Sequence, residues 1–227
     1  MLNMEQIFEY LRKEYRSSPP DPVFYRTVET WNDWYRGTDE SFHRMTVNNG
    51  ITTGEREMFR LHMAKKVAED WANMLLNEKT NIVLDDSVSS EFLQGTDGCG
   101  GVFGENDFWT RANRLLEKVF ALGTGAVVLY LDHAAISSDG SLLSSPEAKI
   151  RLDFLPAQAV IPLSCQGDVV YEAAFVSEVS ECDGKYIYLQ IHRKEKDGYV
   201  IVSRYFRNDS GKLTEAALPA GLSPVIR

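Results

Sequence analysis

The chain has 227 residues, 44% hydrophobic and 25% charged, which is enough to bury a sizeable core in one domain or two. A formal charge of -9 argues against a face that grips a phosphate backbone, because nonspecific nucleic-acid affinity comes mainly from Lys and Arg displacing counterions. It leaves open a surface past which DNA slides. There is no leader pattern at the amino terminus and no apolar run of the roughly 20 residues that a membrane helix needs, so the sequence reads as cytosolic and soluble.

Ile7, Phe8, Leu11 and Tyr15 recur at helical spacing after Asn3, a candidate N-cap, and Ser17-Ser18-Pro19-Pro20 stops that helix. Asp21 before Pro22 restarts one, with Phe24, Val28, Trp31 and Tyr35 on one face, Trp34 close by and Gly37 as its stop. Core packing is the simplest reading of these aromatics, and packing against another subunit is the alternative. From Thr38 to Thr52 the composition turns polar and loses periodicity, which predicts a connecting loop or arm.

Thr52-x-x-Glu55 has the spacing of a capping box, and Met58, Leu61, Ala64, Val67, Ala68, Trp71, Ala72 and Leu75 follow at threes and fours. The spacing predicts a long helix ending near Asn77, with Arg60, Lys65, Lys66, Glu69 and Asp70 on a solvated face of mixed sign. A short strand is expected at 81–84. The Gly95 to Gly101 stretch lacks the Gly-Lys-Ser/Thr ending of a phosphate loop and reads as a loop. A further helix from about Asn106 turns Phe108, Ala112, Leu115, Leu116, Val119 and Phe120 inward and ends at Leu122-Gly123. Gly123-Thr124-Gly125 comes in the order helix, glycines, strand, the reverse of a dinucleotide fingerprint, so it reads as a C-cap leading into a buried strand, Gly125 to Leu131.

The last third changes period. Ile150, Leu152 and Phe154 alternate with Arg151 and Asp153, and strands are predicted at 169–179, 185–193 and 199–206, joined by Asp183-Gly184 and Asp197-Gly198. Helices followed by hairpins give an α+β class with a mainly antiparallel sheet.

Chemistry-bearing residues are scattered. Cys99, Cys165 and Cys182 are odd in number and lack a Cys-x-x-Cys pair, so reduced thiols are expected. His43, His62, His133 and His192 show no metal-ligand spacing and no neighbouring nucleophile motif. Asp85-Asp86 is a carboxylate pair, but neighbours on a strand face opposite ways and neighbours on a loop are solvated. No catalytic, cofactor-binding or metal-binding residue is assigned, no cofactor is expected, and the chain reads as a non-enzyme.

Three stretches carry a resemblance: Trp31-x-x-Trp34-Tyr35-x-Gly37, then Met63-Ala64-Lys65-Lys66-Val67-Ala68-Glu69-Asp70-Trp71-Ala72-Asn73-Met74-Leu75-Leu76-Asn77-Glu78, then Ala121-Leu122-Gly123-Thr124-Gly125-Ala126. With the alternating segment from Ile150 to Pro162, they resemble the N-terminal half of portal proteins of tailed phages with long non-contractile tails, over roughly residues 25 to 180. The resemblance implies a structural subunit of a ring, usually a dodecamer, at one capsid vertex. Such a ring docks the terminase motor and the neck, meets capsid and scaffolding proteins, and passes double-stranded DNA without sequence-specific binding. The implied location is the virion, with assembly in the host bacterial cytoplasm. It also implies N-terminal helices and an arm over 1–50 and a wing-like α+β domain over 51–227, with stem, clip and crown absent. The end at Arg227 thus resembles a wing-region fragment or a truncated prophage copy. Two alternatives stand beside it: an acidic α+β binding module using Trp31, Trp34 and Tyr35 as a peptide-binding patch, and a metal-dependent virion hydrolase or nuclease using Asp85, Asp86 and a histidine.

Overall fold

A computed structural model describes residues 4–77, 79–96, 100–182, 184–196, 198–209, 212–219 and 222–226. The elements in order are α1 (Met4–Tyr15), α2 (Pro22–Arg36), α3 (Glu40–His43), β1 (Arg44–Asn48), β2 (Thr53–Glu57), α4 (Met63–Leu75), α5 (Ser87–Gln94), α6 (Gly101–Glu105), α7 (Phe108–Leu122), β3 (Gly125–Asp132), β4 (Ala135–Ile136), β5 (Leu142–Leu143), β6 (Lys149–Pro156), β7 (Val160–Gln166), β8 (Val169–Glu181), β9 (Gly184–Glu195), β10 (Gly198–Asp209), β11 (Lys212–Ala216) and β12 (Val225–Ile226). The class is α+β, as its sequence pattern predicts. Two compact units form, one from Met1–Phe24 with Val128–Arg227 and the other from Tyr25–Val127.

The first unit is built on an antiparallel meander, β7-β8-β9-β10-β11, with β12 pairing the part of β10 that β11 leaves open. The three predicted strands are β8, β9 and β10. β8 closes on β9 at Glu181↔Gly184 and β9 on β10 at Glu195↔Gly198, so the Asp-Gly signals fall at the two hairpins; Asp183 and Asp197 themselves lie outside the described residues, as does Asn3. The register sets Ile161, Ala174 and Ile191 in one row and Val176, Leu189 and Arg204 in the next, so one sheet face is largely apolar with Arg204 as a charged member. α1 belongs to that face. Ile7, Phe8 and Leu11 are at most 1% exposed, as their spacing predicts, and Tyr10 meets Phe206 edge-on at 5.0 Å. Arg204 Nε donates to the Tyr10 hydroxyl at 3.2 Å, and the backbone N–H of Leu213 donates to Gln6 Oε1 at 2.9 Å. Burial and the charge of Tyr15 push the Tyr10 phenol up to about 12, against the pull of Arg204.

On the opposite face Tyr186 stacks on Tyr205 at 4.8 Å, Tyr188 and Ser203 share a hydrogen bond of 2.9 Å, and Phe175 lies edge-on to His192 at 5.1 Å. β3 and β6 form a separate two-stranded sheet. Here the prediction of a buried strand fails: Val128 is buried, but Val127, Leu129, Tyr130 and Leu131 are exposed. With one neighbouring strand, β3 keeps most of its apolar surface in solvent.

The second unit corrects the sequence reading more deeply. Thr38–Thr52 is no featureless loop: after α3, β1 pairs antiparallel with β2. Asn49 Oδ1 accepts from Ile51 N and Thr52 N, and Asn48 Oδ1 accepts from Gly50 N, so the turn is held by local amides. The expected capping box is overturned by the same pairing. Thr53 and Glu55 are ladder residues opposite Asn48 and Thr46, and the helix begins only at Met63, after His62 at a φ of 50°. No strand forms at 81–84; instead Gln94 Nε2 donates to Ile82 O at 2.6 Å, and the unpredicted α5 and α6 follow. The predicted start at Asp21 is observed, its Oδ1 accepting from Val23 N at 2.8 Å.

Candidate interaction groove

Three helices of the second unit converge on one apolar trough. Its floor and walls are Trp31, Trp34 and Tyr35 from α2, Met63, Ala64, Val67, Ala68 and Trp71 from α4, and Phe120 and Ala121 from α7, enclosing about 540 Å³. The helices stay together for local reasons. Ala68 and Ala72 are the buried residues of α4, small enough to let a neighbouring backbone approach. Asn113 on α7 donates through Nδ2 to Asn73 Oδ1 at 3.1 Å and to Leu76 O at 2.9 Å. Trp71 lies 6.1 Å from the Phe120 ring across the two helices.

α7 ends at Gly123, whose left-handed φ of 85° turns the chain and whose N–H donates to Val119 O at 2.8 Å, the C-cap that the sequence predicts. A Cβ there would stand 3.3 Å from Cζ3 of Trp31, so this glycine also lets the indole approach. At the other end of α2, Gly37 at a φ of 66° lies under the imidazole of His62.

The aromatics are where core packing fails as their account. In α2 the buried residues are Tyr25 and Val28, whereas Trp31 and Trp34 are 40% and 43% exposed. On α4, Val67 and Trp71 are each 51% exposed, and on α7 Leu122 is the buried residue while Phe120 is exposed. Periodicity put these side chains on shared faces correctly; it could not say that the faces stay open.

One polar pair sits among them. The Tyr35 hydroxyl donates to Glu117 Oε1 at 2.6 Å. Burial, that hydrogen bond and the negative charges of Glu117 and Glu69 raise the Tyr35 phenol well above its ordinary value, so it stays a neutral donor. The mixed-charge face predicted for α4 is present, with Lys66 bridging Asp70 at 2.9 Å and reaching Glu69 at 3.9 Å.

The alternative site residues are not brought together. Asp86 caps α5, accepting from Val88 N, Ser89 N and the Ser89 hydroxyl, and these bonds, that of the hydroxyl first, hold its carboxyl below the usual range. His43 is buried and its Nδ1 donates to Asp39 O at 2.6 Å. His62 precedes α4, His133 is exposed, and His192 lies in β9. Among the described residues no group of three or more His, Cys, Asp or Glu is placed to hold a metal ion. Cys165 and Cys182 are free thiols, while Cys99 and the centre of the Gly95 to Gly101 stretch lie outside the described residues. No helix is long and apolar enough to cross a membrane among the described residues. What the trough can do chemically is bury another apolar surface beside the Tyr35–Glu117 pair.

No protein-family model matches this sequence, and no curated protein matches it.

Proposed function

We propose that the chain is a structural subunit of a tailed-phage portal ring, contributing wing-region surface at the capsid vertex through which double-stranded DNA is packaged and ejected. The observation that carries this reading is the open trough itself: its lining includes Trp31, Trp34, Tyr35, Met63 and Trp71, residues of the segments that carry the resemblance. Exposed apolar surface of that kind is costly in water and is retained where another macromolecule covers it. In a ring the cover is a neighbouring subunit or a docked motor, capsid, scaffolding or neck protein. A net charge of -9 suits a part that surrounds a sliding polyanion without trapping it.

The experiment is light scattering coupled to gel filtration on the product of the complete reading frame, followed by negative-stain imaging. Discrete ring-sized particles are the expected result. A strict monomer at every concentration overturns the portal reading. It would favour the acidic binding module, which the same trough supports, and capture of a partner that is lost in Trp71→Ala with the fold retained would then identify that function.

A further inference from the structure

The second unit carries another unpartnered apolar surface, and it complements the trough. In the β1–β2 ladder Met45 faces Arg56 and Val47 faces Gly54, which sets Met45, Val47 and Arg56 on one side of the hairpin. Arg44, Thr46, Glu55 and Glu57 occupy the other. Such alternation marks a ribbon that lays one side on an apolar support, and two strands alone are marginal in water. Yet every residue of both strands is exposed, and Ile51 in the connecting turn is 92% exposed.

Charge completes the match. Arg44 on the polar side is bridged to Glu40 at 2.8 Å, whereas Arg56 on the apolar side makes no ion pair among the described residues. Glu117, half-buried, accepts from the hydroxyl of the trough-lining Tyr35 and makes no ion pair among the described residues. An acid without an ion-pair partner thus sits behind Tyr35 of the trough, and a base without one stands on the hairpin side.

We infer that the β1–β2 hairpin of one copy lays its Met45, Val47 and Arg56 side into the trough of a second copy, with the Arg56 guanidinium meeting the Glu117 carboxylate. Hairpin and trough are different surfaces of the same unit, so each copy offers both, and the contact is head-to-tail. Contacts of that kind propagate into a closed ring or an open filament. The closed outcome rests on the portal reading; the contact does not.

The test uses the full chain with Cys99, Cys165 and Cys182 replaced by Ser. A Val47→Cys copy is mixed with a Val67→Cys copy, and disulfide formation is compared with that between Val47→Cys and Val88→Cys, a 73% exposed position outside the trough. The 47–67 pair is expected to form at least about tenfold faster, as a docked geometry raises effective concentration. Equal rates, or no 47–67 product, overturn the inference. As a second measurement, Arg56→Glu and Glu117→Arg each reduce the associated fraction, and the two together restore it; failure to restore overturns the charge match. Ring-sized particles without the preferred crosslink remove the hairpin contact and leave the portal reading standing. A preferred crosslink supports the contact, and if the product of the complete reading frame then forms only small species and never rings, the contact stands and the portal reading is removed.

Discussion

The hydroxyl of Tyr35 and the carboxylate of Glu117 meet at 2.6 Å although 82 residues separate them in the chain, which makes this pair a polar tie between α2 and α7 at the edge of the trough that Tyr35 lines. Tyr35→Phe removes the donor and leaves Glu117 half-buried. The loss expected in urea unfolding is about 1 kcal/mol, below the usual range for a bond to a charged group because solvent reaches the site. The pH dependence has a definite sign. A phenol raised above its ordinary 10.0 stabilises the fold fully below that value and loses the contribution as pH rises through the higher folded value. The alkaline loss of stability should therefore be shallower in the variant.

Gly123→Ala adds a methyl at a left-handed backbone position and 3.3 Å from the Trp31 ring. The backbone cost alone is about 1–2 kcal/mol. A thermal melt should fall accordingly, with a changed Trp31 emission that separates displacement of the indole from simple loss of helix.

The sheet and the trough answer differently to truncation. Leu189 is fully buried, so Leu189→Ala should cost about 2–5 kcal/mol in equilibrium unfolding. Val67→Ala, at a 51% exposed site, should stay within about 0.5 kcal/mol while lowering self-association. A Val67→Ala variant as unstable as Leu189→Ala would mean that the trough is core.

His192 is largely buried, its Nε2 lacks a hydrogen-bond partner among the described atoms, and burial lowers its pKa below the ordinary 6.5. A depressed base contributes stability above the unfolded value that is lost as pH falls through the folded one. The melting temperature should decline below 6.5, and His192→Gln should remove that part of the decline.

Asp86→Ala tests whether the acidic pair has a role beyond capping. Amide exchange at Val88 and Ser89 should accelerate as the first turn of α5 frays. Retained metal-dependent DNA cleavage in the wild type, abolished in this variant, would revive the nuclease alternative.

How far the fold was legible follows from what each signal encodes. β8, β9 and β10 were readable because strict alternation and Asp-Gly pairs are local properties of the chain. The hairpin at Arg44–Glu57 was missed because Met45 and Val47 alternate over one short stretch among polar residues, and Thr52-x-x-Glu55 mimics a helix start. Only pairing with Thr46 and Asn48 decides for strand. The five apolar residues of β3 from Val127 to Leu131 predicted burial because hydropathy reports what a side chain prefers, not what covers it. The trough residues share that ambiguity: spacing gathers Trp31, Val67 and Trp71 on helix faces, and only three-dimensional placement shows them open.

The bond between Leu213 and Gln6 has a consequence for synthesis. A sheet fastened to α1 by a residue 207 positions later cannot close until Leu213 has left the ribosome. The unit from Tyr25 to Val127 is complete long before that, inserted between the two pieces of its neighbour. During that interval Phe8 and Leu11 of α1 have no finished sheet to cover them, so the newborn chain passes through a period of exposed amphipathic helix in which chaperones or premature association act. Slowing translation after Val127 would lengthen that interval and lower the soluble yield.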